Sequence, residues 1–231
     1  MELSANENKK VEIDVDGEIY NRYAIKTHHI QLGENYIDLV KQYVLPIYQE
    51  GDMITISEKI ISLCQKNVIY KKDMKVGFMA KFLSKFAMRT EAGIGVDSPY
   101  KMQFAINLCG RLKVLYAAIA AGFGKLFGKK GVFYKIVGKE VAELDGFYGK
   151  NFPEYADFGI MLPKDPVGVC NKIYKETGVK AIIIDANDFG VDILGKSDEI
   201  KIEDEKLQKM LKDNPAGQSK QQTPIILIRK V

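Results

Sequence analysis

The chain has 231 residues, a length that suits one large domain or two small, closely packed lobes. Hydrophobic residues make up 46% and charged residues 28%, so there is enough apolar material to offset chain entropy, and a disordered chain is excluded. The formal net charge is only +4, and we take the charges to be interspersed. Because nucleic-acid-binding proteins usually carry a clustered basic stripe, we expect no nucleic acid among the partners.

The cysteines and the apolar runs indicate the compartment. Cys64, Cys109 and Cys170 are odd in number and form no CxxC pair, so we expect small buried hydrophobes in a reducing compartment. Residues 1–17 are polar and show no secretory signal. The longest apolar run, residues 114–124, is shorter than the about 20 residues that a span needs. We therefore expect a cytoplasmic protein with no membrane span.

The first part of the chain predicts a hairpin, a helix and a strand. Residues 11–15 alternate in hydrophobicity, and an Asp-Gly turn at residue 16 leads into a second strand over 18–25. Helical spacing of apolar residues follows over 36–44. Residues 53–56 read as a short apolar strand, and Ser57 is a candidate cap for a helix, although the strand could also continue.

The middle of the chain is rich in helical signals. Residues 76–90 predict an amphipathic helix with Phe78, Phe82 and Phe86 on one face. We expect this face to pack in the core or against a second subunit rather than on a membrane. Residues 99–130 predict helix interrupted by glycines, and residues 132–143 look like a strand.

The last third alternates helix and strand most clearly. The predicted elements are a helix over 166–177, a fully buried strand over 181–184, a polar turn over 185–190, a helix over 203–213 and a strand over 224–228. Helices and strands are therefore mixed along the chain, which predicts an α+β or mixed α/β fold.

Two groups of residues suggest a ligand, and each has an alternative. Acidic and amide side chains follow the predicted strands at four positions: Asp97, Asn187, Asp188 and Gln218. Hard oxygen ligands of this kind suit Mg²⁺ or Mn²⁺, although Asp and Asn are also ordinary turn residues. The two histidines, His28 and His29, either contact a phosphate or base, or lie one buried and one exposed.

Two kinds of catalytic motif are unsupported. The glycines between residues 122 and 131 do not have the spacing of a Walker loop, and a Lys stands where that loop needs Ser or Thr. No serine or cysteine lies in a recognisable nucleophile motif, so the catalytic residues stay unassigned.

Six short motifs, taken in order, resemble the coenzyme F-420 gamma-glutamyl ligase family. They are residues 27–35 (THHIQLGEN), 50–62 (EGDMITISEKIIS), 89–98 with Arg-Thr and Gly-Val-Asp-Ser, 161–166 (MLPKDP), 182–190 (IIIDANDFG), and Gly217-Gln218 before 223–229 (TPIILIR). The match extends from about residue 20 to the C-terminus and resembles a divergent bacterial-type member. Residues 1–19 then form an N-terminal tail and first strand, and residues 20–231 form the ligase-like domain.

The resemblance implies an amide ligase. Members of this family join the amino group of L-glutamate to a carboxylate on an acceptor, F-420-0-like or folate-like, through an acyl phosphate formed from GTP (or ATP). Divalent metals bridge the nucleotide phosphates, because two anions must meet and charge develops at the phosphate. The family has a mixed-sheet fold without a Walker loop and forms homodimers, so we expect a homodimer here.

The resemblance also implies site residues. The metal ligands would be Asp97, Asn187, Asp188 and Gln218, and the nucleotide would lie along Thr27, His28, His29, Ile30, Ser57, Glu58, Lys59, Gly217 and Ser219.

The sequence departs from the family in several places. The family's Asp-Thr pair is Asn187-Asp188, so Asp185 is an alternative source of the carboxylate, and a family lysine is replaced by Leu63. A helical, Gly-rich insert over about 100–155 separates two motifs and would reshape the acceptor pocket. Two other functions therefore stay open: a nucleotide- or metabolite-binding protein with altered catalysis, and an interaction module that uses the Phe78–Phe86 face.

Overall fold

A computed structural model describes residues 3–87, 95–147, 155–187, 190–217 and 221–231. The strands are β1 (Glu12–Val15), β2 (Glu18–Ile25), β3 (Met53–Ser57), β4 (Val68–Tyr70), β5 (Asp145–Gly146), β6 (Phe158–Ile160), β7 (Lys180–Asn187), β8 (Gly190–Lys196) and β9 (Ile225–Lys230). The helices are α1 (Tyr36–Tyr43), α2 (Glu58–Cys64), α3 (Phe78–Ser84), α4 (Pro99–Cys109), α5 (Arg111–Leu126), α6 (Val132–Val137), α7 (Lys139–Ala142), α8 (Pro166–Thr177) and α9 (Asp204–Leu211). The fold is thus mixed α and β, as the sequence predicts.

The chain divides into two compact units. The first consists of Met1–Lys66 with Pro163–Val231, and the second of Asn67–Leu162. In the first unit, six strands form one mixed sheet in the order β1-β2-β9-β3-β7-β8. Only β3 and β7 pair in parallel among these strands, and the other neighbours are antiparallel. In the second unit, β4, β6 and β5 form a small antiparallel sheet.

The sheet of the first unit is covered on both faces. Ile54, Ile56 and Ile183 pack on one face with apolar residues of α1 and α8. Ile182, Ile184 and the other alternate residues pack on the opposite face with α9. Burial on both faces explains why the central strands are almost continuously apolar instead of alternating.

The second unit has a separate core built largely from its helices. Met102, Ala105, Val114, Phe133 and Val141, from α4 to α7, belong to this cluster. The helices α4 and α5 meet at Gly110, whose φ of +82° allows a turn between them without a clash at Cβ.

Several predicted elements are confirmed. The hairpin with its turn at residues 16 and 17, the helix at 166–177 and the strand at 181–184 all form. The helix after Ser57 also forms, but the Ser57 side chain makes no capping hydrogen bond.

The strand predicted over 132–143 is wrong, because α6 and α7 occupy these residues. Gly131 and Gly138 flank α6 with φ of +72° and +105°, and these glycines separate a short helix from its neighbours. Phe133 and Val137 are buried while Lys135, which a strand would place on the same face, is exposed, and this is the helical pattern. Core packing has therefore outweighed the β-propensity of this segment.

Two further expectations need correction. Most of the predicted turn over 185–190 is strand, because β7 continues through residue 187 and β8 begins at Gly190. Phe78, Phe82 and Phe86 do not pack in the core, since their exposed fractions are 83%, 48% and 72%.

A buried ion pair holds one end of the central strands. Asp52, just before β3, accepts hydrogen bonds from Arg229 Nε (2.8 Å) and Nη2 (2.7 Å) on β9, and from the Gln49 backbone N–H (2.8 Å). Asp52 is buried, and its hydrogen bonds raise the pKa of the Arg229 guanidinium further above its ordinary value. Both charges are thus compensated within the fold.

We predict that Asp52→Ala lowers the free energy of unfolding by about 3 kcal/mol, because it leaves a partly buried guanidinium without its carboxylate. Urea denaturation followed by far-UV circular dichroism measures the change. The matched control is Asp204→Ala, which removes the exposed partner of Lys196 and should cost under about 1 kcal/mol. Equal losses in the two variants would contradict a special role for the buried pair.

A second prediction concerns Glu18 at the start of β2. Hydrogen bonds from Lys206, Lys230 and Tyr20 lower the pKa of its carboxyl from about 4.5 to about 2. A carboxyl with a lowered folded-state pKa contributes stability above its ordinary pKa, and this contribution disappears as the pH falls from about 4.5 through about 2. Carboxyl carbon NMR should give the low pKa, and Lys206→Met should move it towards 4.5. An unchanged pKa in that variant would count against the Lys206 contact.

Candidate functional site

Most predicted site segments of the first unit meet at one edge of the six-stranded sheet. The parallel strands β3 and β7 end together, since Ser57 is in register with Ile184. The antiparallel β9 begins at the same edge, where the Ser57 backbone N–H donates to the Pro224 carbonyl (2.9 Å). The end of β2 also lies there, because Ile25 pairs with Ile225. We call this the site edge: residues 27–30, 57–59, 185–187, 214–217 and 221–224.

The predicted nucleotide segment at 27–30 is anchored to the start of β9. The Thr27 backbone N–H donates to the Gln222 carbonyl (3.0 Å), and the Thr27 hydroxyl donates to the His28 carbonyl (2.9 Å). Thr27 and Ile30 are buried, so this segment is fixed beside the sheet.

His28 is exposed and its ring is held by two side chains. Its Nε2 lies 2.8 Å from Glu34 Oε2, and its Nδ1 lies 2.6 Å from the Tyr43 hydroxyl. The Tyr43 hydroxyl also accepts a hydrogen bond from the His28 backbone N–H (3.1 Å). These contacts assign Nε2 as the donor to Glu34 and Nδ1 as the acceptor from Tyr43 in the neutral ring. In this arrangement the His28 ring positions the 27–30 segment, and a phosphate would have to displace one of these contacts.

Two carboxylates lie close together at the site edge. Glu58 is the first residue of α2 and is 4% exposed, while Asp185 lies on β7, one residue beyond the Ser57–Ile184 pair. One oxygen of each carboxylate lies within 4.8 Å of the other. Asp185 also stands directly opposite Asp192 of β8 in the strand register. Negative charge is therefore concentrated at the carboxyl ends of β3 and β7.

This pairing differs from the sequence-based assignments. The resemblance implies that Glu58 lies along the nucleotide, and the turn residues Asn187 and Asp188 are the expected metal ligands. Asp185 is the alternative carboxylate of the sequence analysis, and the structure brings this residue next to Glu58. Sequence reasoning misses this pairing because it depends on which strands are neighbours. The sequence signal for it is that Asp185 directly follows the apolar run at 181–184 and that Glu58 comes two residues after Ile56, at the end of another predicted strand.

Gly217 lies near the start of β9 in a turn that side-chain hydrogen bonds stabilise. Its φ is +72°, and a Cβ at this position would lie 2.9 Å from Gln221 Cδ. The Asn214 side chain donates to the Gly217 carbonyl (3.2 Å), and the Thr223 hydroxyl donates to the Ala216 carbonyl (2.8 Å). These bonds hold the chain on both sides of residues 218–220.

Three predicted residues lie outside the described residues: Asp188, Gln218 and Ser219. Asn187 is the last residue of β7, where its backbone pairs with Gly190. Lys59 follows Glu58 in the first turn of α2 and is half-buried. His29 is also half-buried, so the expectation of one buried and one exposed histidine holds only for the exposed His28.

Asp97, the remaining predicted metal ligand, belongs to the second unit. It lines a cleft of about 630 Å³ together with Lys81, Lys85, Ser84 and Tyr100. Nearby, the Val96 backbone N–H donates to the Tyr134 hydroxyl (3.2 Å). Burial, and to a lesser degree the negative charge of Asp97, raises the pKa of Tyr134. This cleft therefore combines one carboxylate with two ammonium groups, a set that suits an anionic ligand.

Comparisons with known proteins give no family for this chain. No family model matches it, and no curated protein matches it. The likeness to the ligase family therefore stays a prediction from the six motifs, and the function has to be inferred from those motifs together with the geometry of the site.

We predict that Asp185→Asn raises the free energy of unfolding by about 1 kcal/mol in the presence of a metal chelator. The reason is that the substitution removes one of two carboxylates within 4.8 Å and a like charge opposite Asp192. Urea denaturation at neutral pH measures the gain, which should shrink at a pH low enough to protonate the carboxyls.

The control variant for this prediction is Glu12→Gln, which neutralises an exposed carboxylate on β1 and should change stability by less than about 0.5 kcal/mol. A clear loss of stability in Asp185→Asn would mean that the fold, and not a ligand, requires the carboxylate.

Proposed function

We propose that the protein is a nucleotide- and divalent-metal-dependent amide ligase that adds L-glutamate to a carboxylate acceptor. The observation that carries this proposal is the convergence of four motif segments, distant in sequence, at one sheet edge. These segments are the ones that the resemblance assigns to the nucleotide and metal. Unrelated motif matches would have no reason to meet at the same edge.

The donor set at the site edge suits a hard divalent cation. Glu58 and Asp185 supply carboxylate oxygens within 4.8 Å of each other, and oxygen ligands are those that Mg²⁺ and Mn²⁺ prefer. These two residues would hold the ion, in place of the Asn187-Asp188 pair that the resemblance implies. When bound, the ion would neutralise charge on the nucleotide phosphates.

The chemistry of such a ligase has two steps. An acceptor carboxylate oxygen attacks the terminal phosphorus of GTP or ATP, and the nucleoside diphosphate leaves. The amine of L-glutamate then attacks the carbonyl carbon of the acyl phosphate, inorganic phosphate leaves, and the nitrogen loses a proton. The acyl phosphate has to be kept from water. Lys59, in the first turn of α2, would supply positive charge for anionic substrates at the site edge.

A second candidate function is nucleotide or metabolite binding without turnover. Leu63, which stands where the family has a lysine, is uncharged and only 1% exposed, so this position offers no positive charge to a ligand. The absence of this charge favours binding over catalysis, and turnover distinguishes the two functions.

The test is a thermal-shift screen of GTP, ATP, GDP and ADP with and without Mg²⁺ or Mn²⁺, followed by a hydrolysis assay with L-glutamate and candidate acceptors. A nucleotide at about 100 times its Kd should stabilise the protein by about 2.7 kcal/mol, and only with metal. Asp185→Asn should lose this metal-dependent shift, whereas Glu12→Gln should keep it.

The outcomes separate the candidates. Phosphate release that requires both glutamate and an acceptor supports the ligase. A metal-dependent shift without release supports the binding protein. The absence of any shift with all nucleotides and both metals would reject the ligase and the nucleotide-binding function, and would leave binding of a different metabolite as the function to test.

A further inference from the structure

The helix α5 exposes its large apolar side chains and buries its small ones. Val114, Ala117 and Gly124 are buried against the second unit. The exposed large apolar residues of this helix have exposed fractions between 42% and 84%; they are Leu112, Leu115, Tyr116, Ile119, Phe123 and Leu126. We call these six residues the α5 stripe. A surface helix normally shows the reverse arrangement.

The α5 stripe is continuous along the helix. Leu112, Tyr116, Ile119, Phe123 and Leu126 follow one another at intervals of three or four residues, which places them on one helix face. Together the six side chains expose on the order of several hundred Å² of apolar surface, more than scattered surface hydrophobes do. A face of this size indicates an interaction surface.

The chain segment that contains the α5 stripe carries charge of one sign. The segment from Pro99 to Lys139 contains eight basic residues and no acidic residue, although the net charge of the whole chain is only +4. The expectation of interspersed charges is therefore wrong for this segment. Exposed basic side chains lie at both ends of α5: Arg111 and Lys113 at the start, and Lys125, Lys129 and Lys130 at the end.

A second helix of the same unit repeats this combination. On α3 and just after it, Phe78, Phe82 and Phe86 are exposed, with ring centroids 6.0 Å and 5.0 Å apart for successive pairs. Lys81 and Lys85 are exposed between them. Apolar side chains framed by ammonium groups are thus a property of the unit's surface and not only of α5.

We propose that the second unit docks on an anionic lipid bilayer through the α5 stripe. The apolar side chains would enter the interface between headgroups and acyl chains, and the basic residues at the helix ends would contact lipid phosphates. Among the described residues, no helix is long and apolar enough to cross a membrane, so α5 would lie in the plane of the surface. This proposal does not depend on the ligase activity.

Charge complementarity favours an anionic bilayer over two other occupants of the α5 stripe, a second copy of the chain and a nucleic acid. A two-fold dimer through the α5 stripe would place the same basic ends near each other, which costs electrostatic energy. A nucleic acid would be attracted by the lysines but would leave the leucine, isoleucine and phenylalanine side chains in water. An anionic bilayer is complementary to both the charge and the apolar face.

The experiment is co-sedimentation of the full chain with sucrose-loaded vesicles. Vesicles with about 30% phosphatidylglycerol in phosphatidylcholine should bind the protein, and vesicles of phosphatidylcholine alone should bind much less. The triple variant Leu112→Ser/Phe123→Ser/Leu126→Ser should lose about tenfold or more in bound fraction. Because all three side chains are exposed, the thermal midpoint should stay close to that of the wild type.

Two matched controls test whether vesicle binding depends on the α5 stripe and its basic residues, and not on exposed apolar or charged side chains elsewhere. Leu45→Ser/Val167→Ser removes exposed apolar side chains from the first unit and should bind vesicles as the wild type does. Lys125→Glu/Lys129→Glu/Lys130→Glu should bind much less than Lys41→Glu/Lys175→Glu/Lys212→Glu, which has the same net charge but changes exposed lysines of the first unit.

Three results would overturn the proposal. The first is the absence of vesicle binding by the wild type. The second is vesicle binding that is retained by the triple serine variant, called the α5 stripe variant here. The third is a dimer in light scattering that the α5 stripe variant converts to a monomer, together with equal binding to anionic and neutral vesicles, which would mean that a second copy covers the stripe.

Discussion

The parallel pairing of β3 with β7 is the constraint on which the first unit depends. Two parallel strands cannot be joined by a tight turn, so the chain between them makes a long excursion that includes the whole second unit and α8. The same pairing makes both strands end at one edge, beside the start of β9. Residues far apart in sequence, such as Glu58 and Asp185, therefore become neighbours without any local motif to join them.

The sequence predicts the elements whose signals are local. The β1–β2 hairpin follows from alternation and an Asp-Gly turn, and α8 is bounded by Pro166 and Gly178. Local signals fail for residues 132–143. Val, Phe, Tyr and Ile favour strands there, but Phe133 and Val137 pack as part of α6 in the helical core of the second unit. The division into two units also depends on contacts that no local pattern reveals.

For the candidate site, sequence motifs and structure contribute different parts. The motifs predict ligand-binding roles for residues 27–30 and 57–59 and for the end of β7, and the strand order brings these segments to one edge. Neither composition nor spacing reveals that the His28 ring contacts Glu34 and Tyr43, since this depends on how α1 lies against the 27–30 segment. The sequence shows that a family lysine is replaced by Leu63, but only the structure shows that this side chain is buried on α2.

The two ends of the central strands differ in the charges that meet there: opposite charges pair at one end, and like charges lie close together at the other. At one end Asp52 is compensated by Arg229, Tyr48 donates to the Asp52 carbonyl, and Tyr48 also accepts from the Lys180 backbone N–H, so polar groups of β3, β7 and β9 are satisfied together. At the other end two carboxylates lie within 4.8 Å of each other, and repulsion between like charges has a local cost in free energy. Natural sequences keep such a local cost mainly where function requires it, and they compensate elsewhere in the fold. The ion pair at one end thus stabilises a sheet whose opposite edge carries the carboxylates of the proposed metal site.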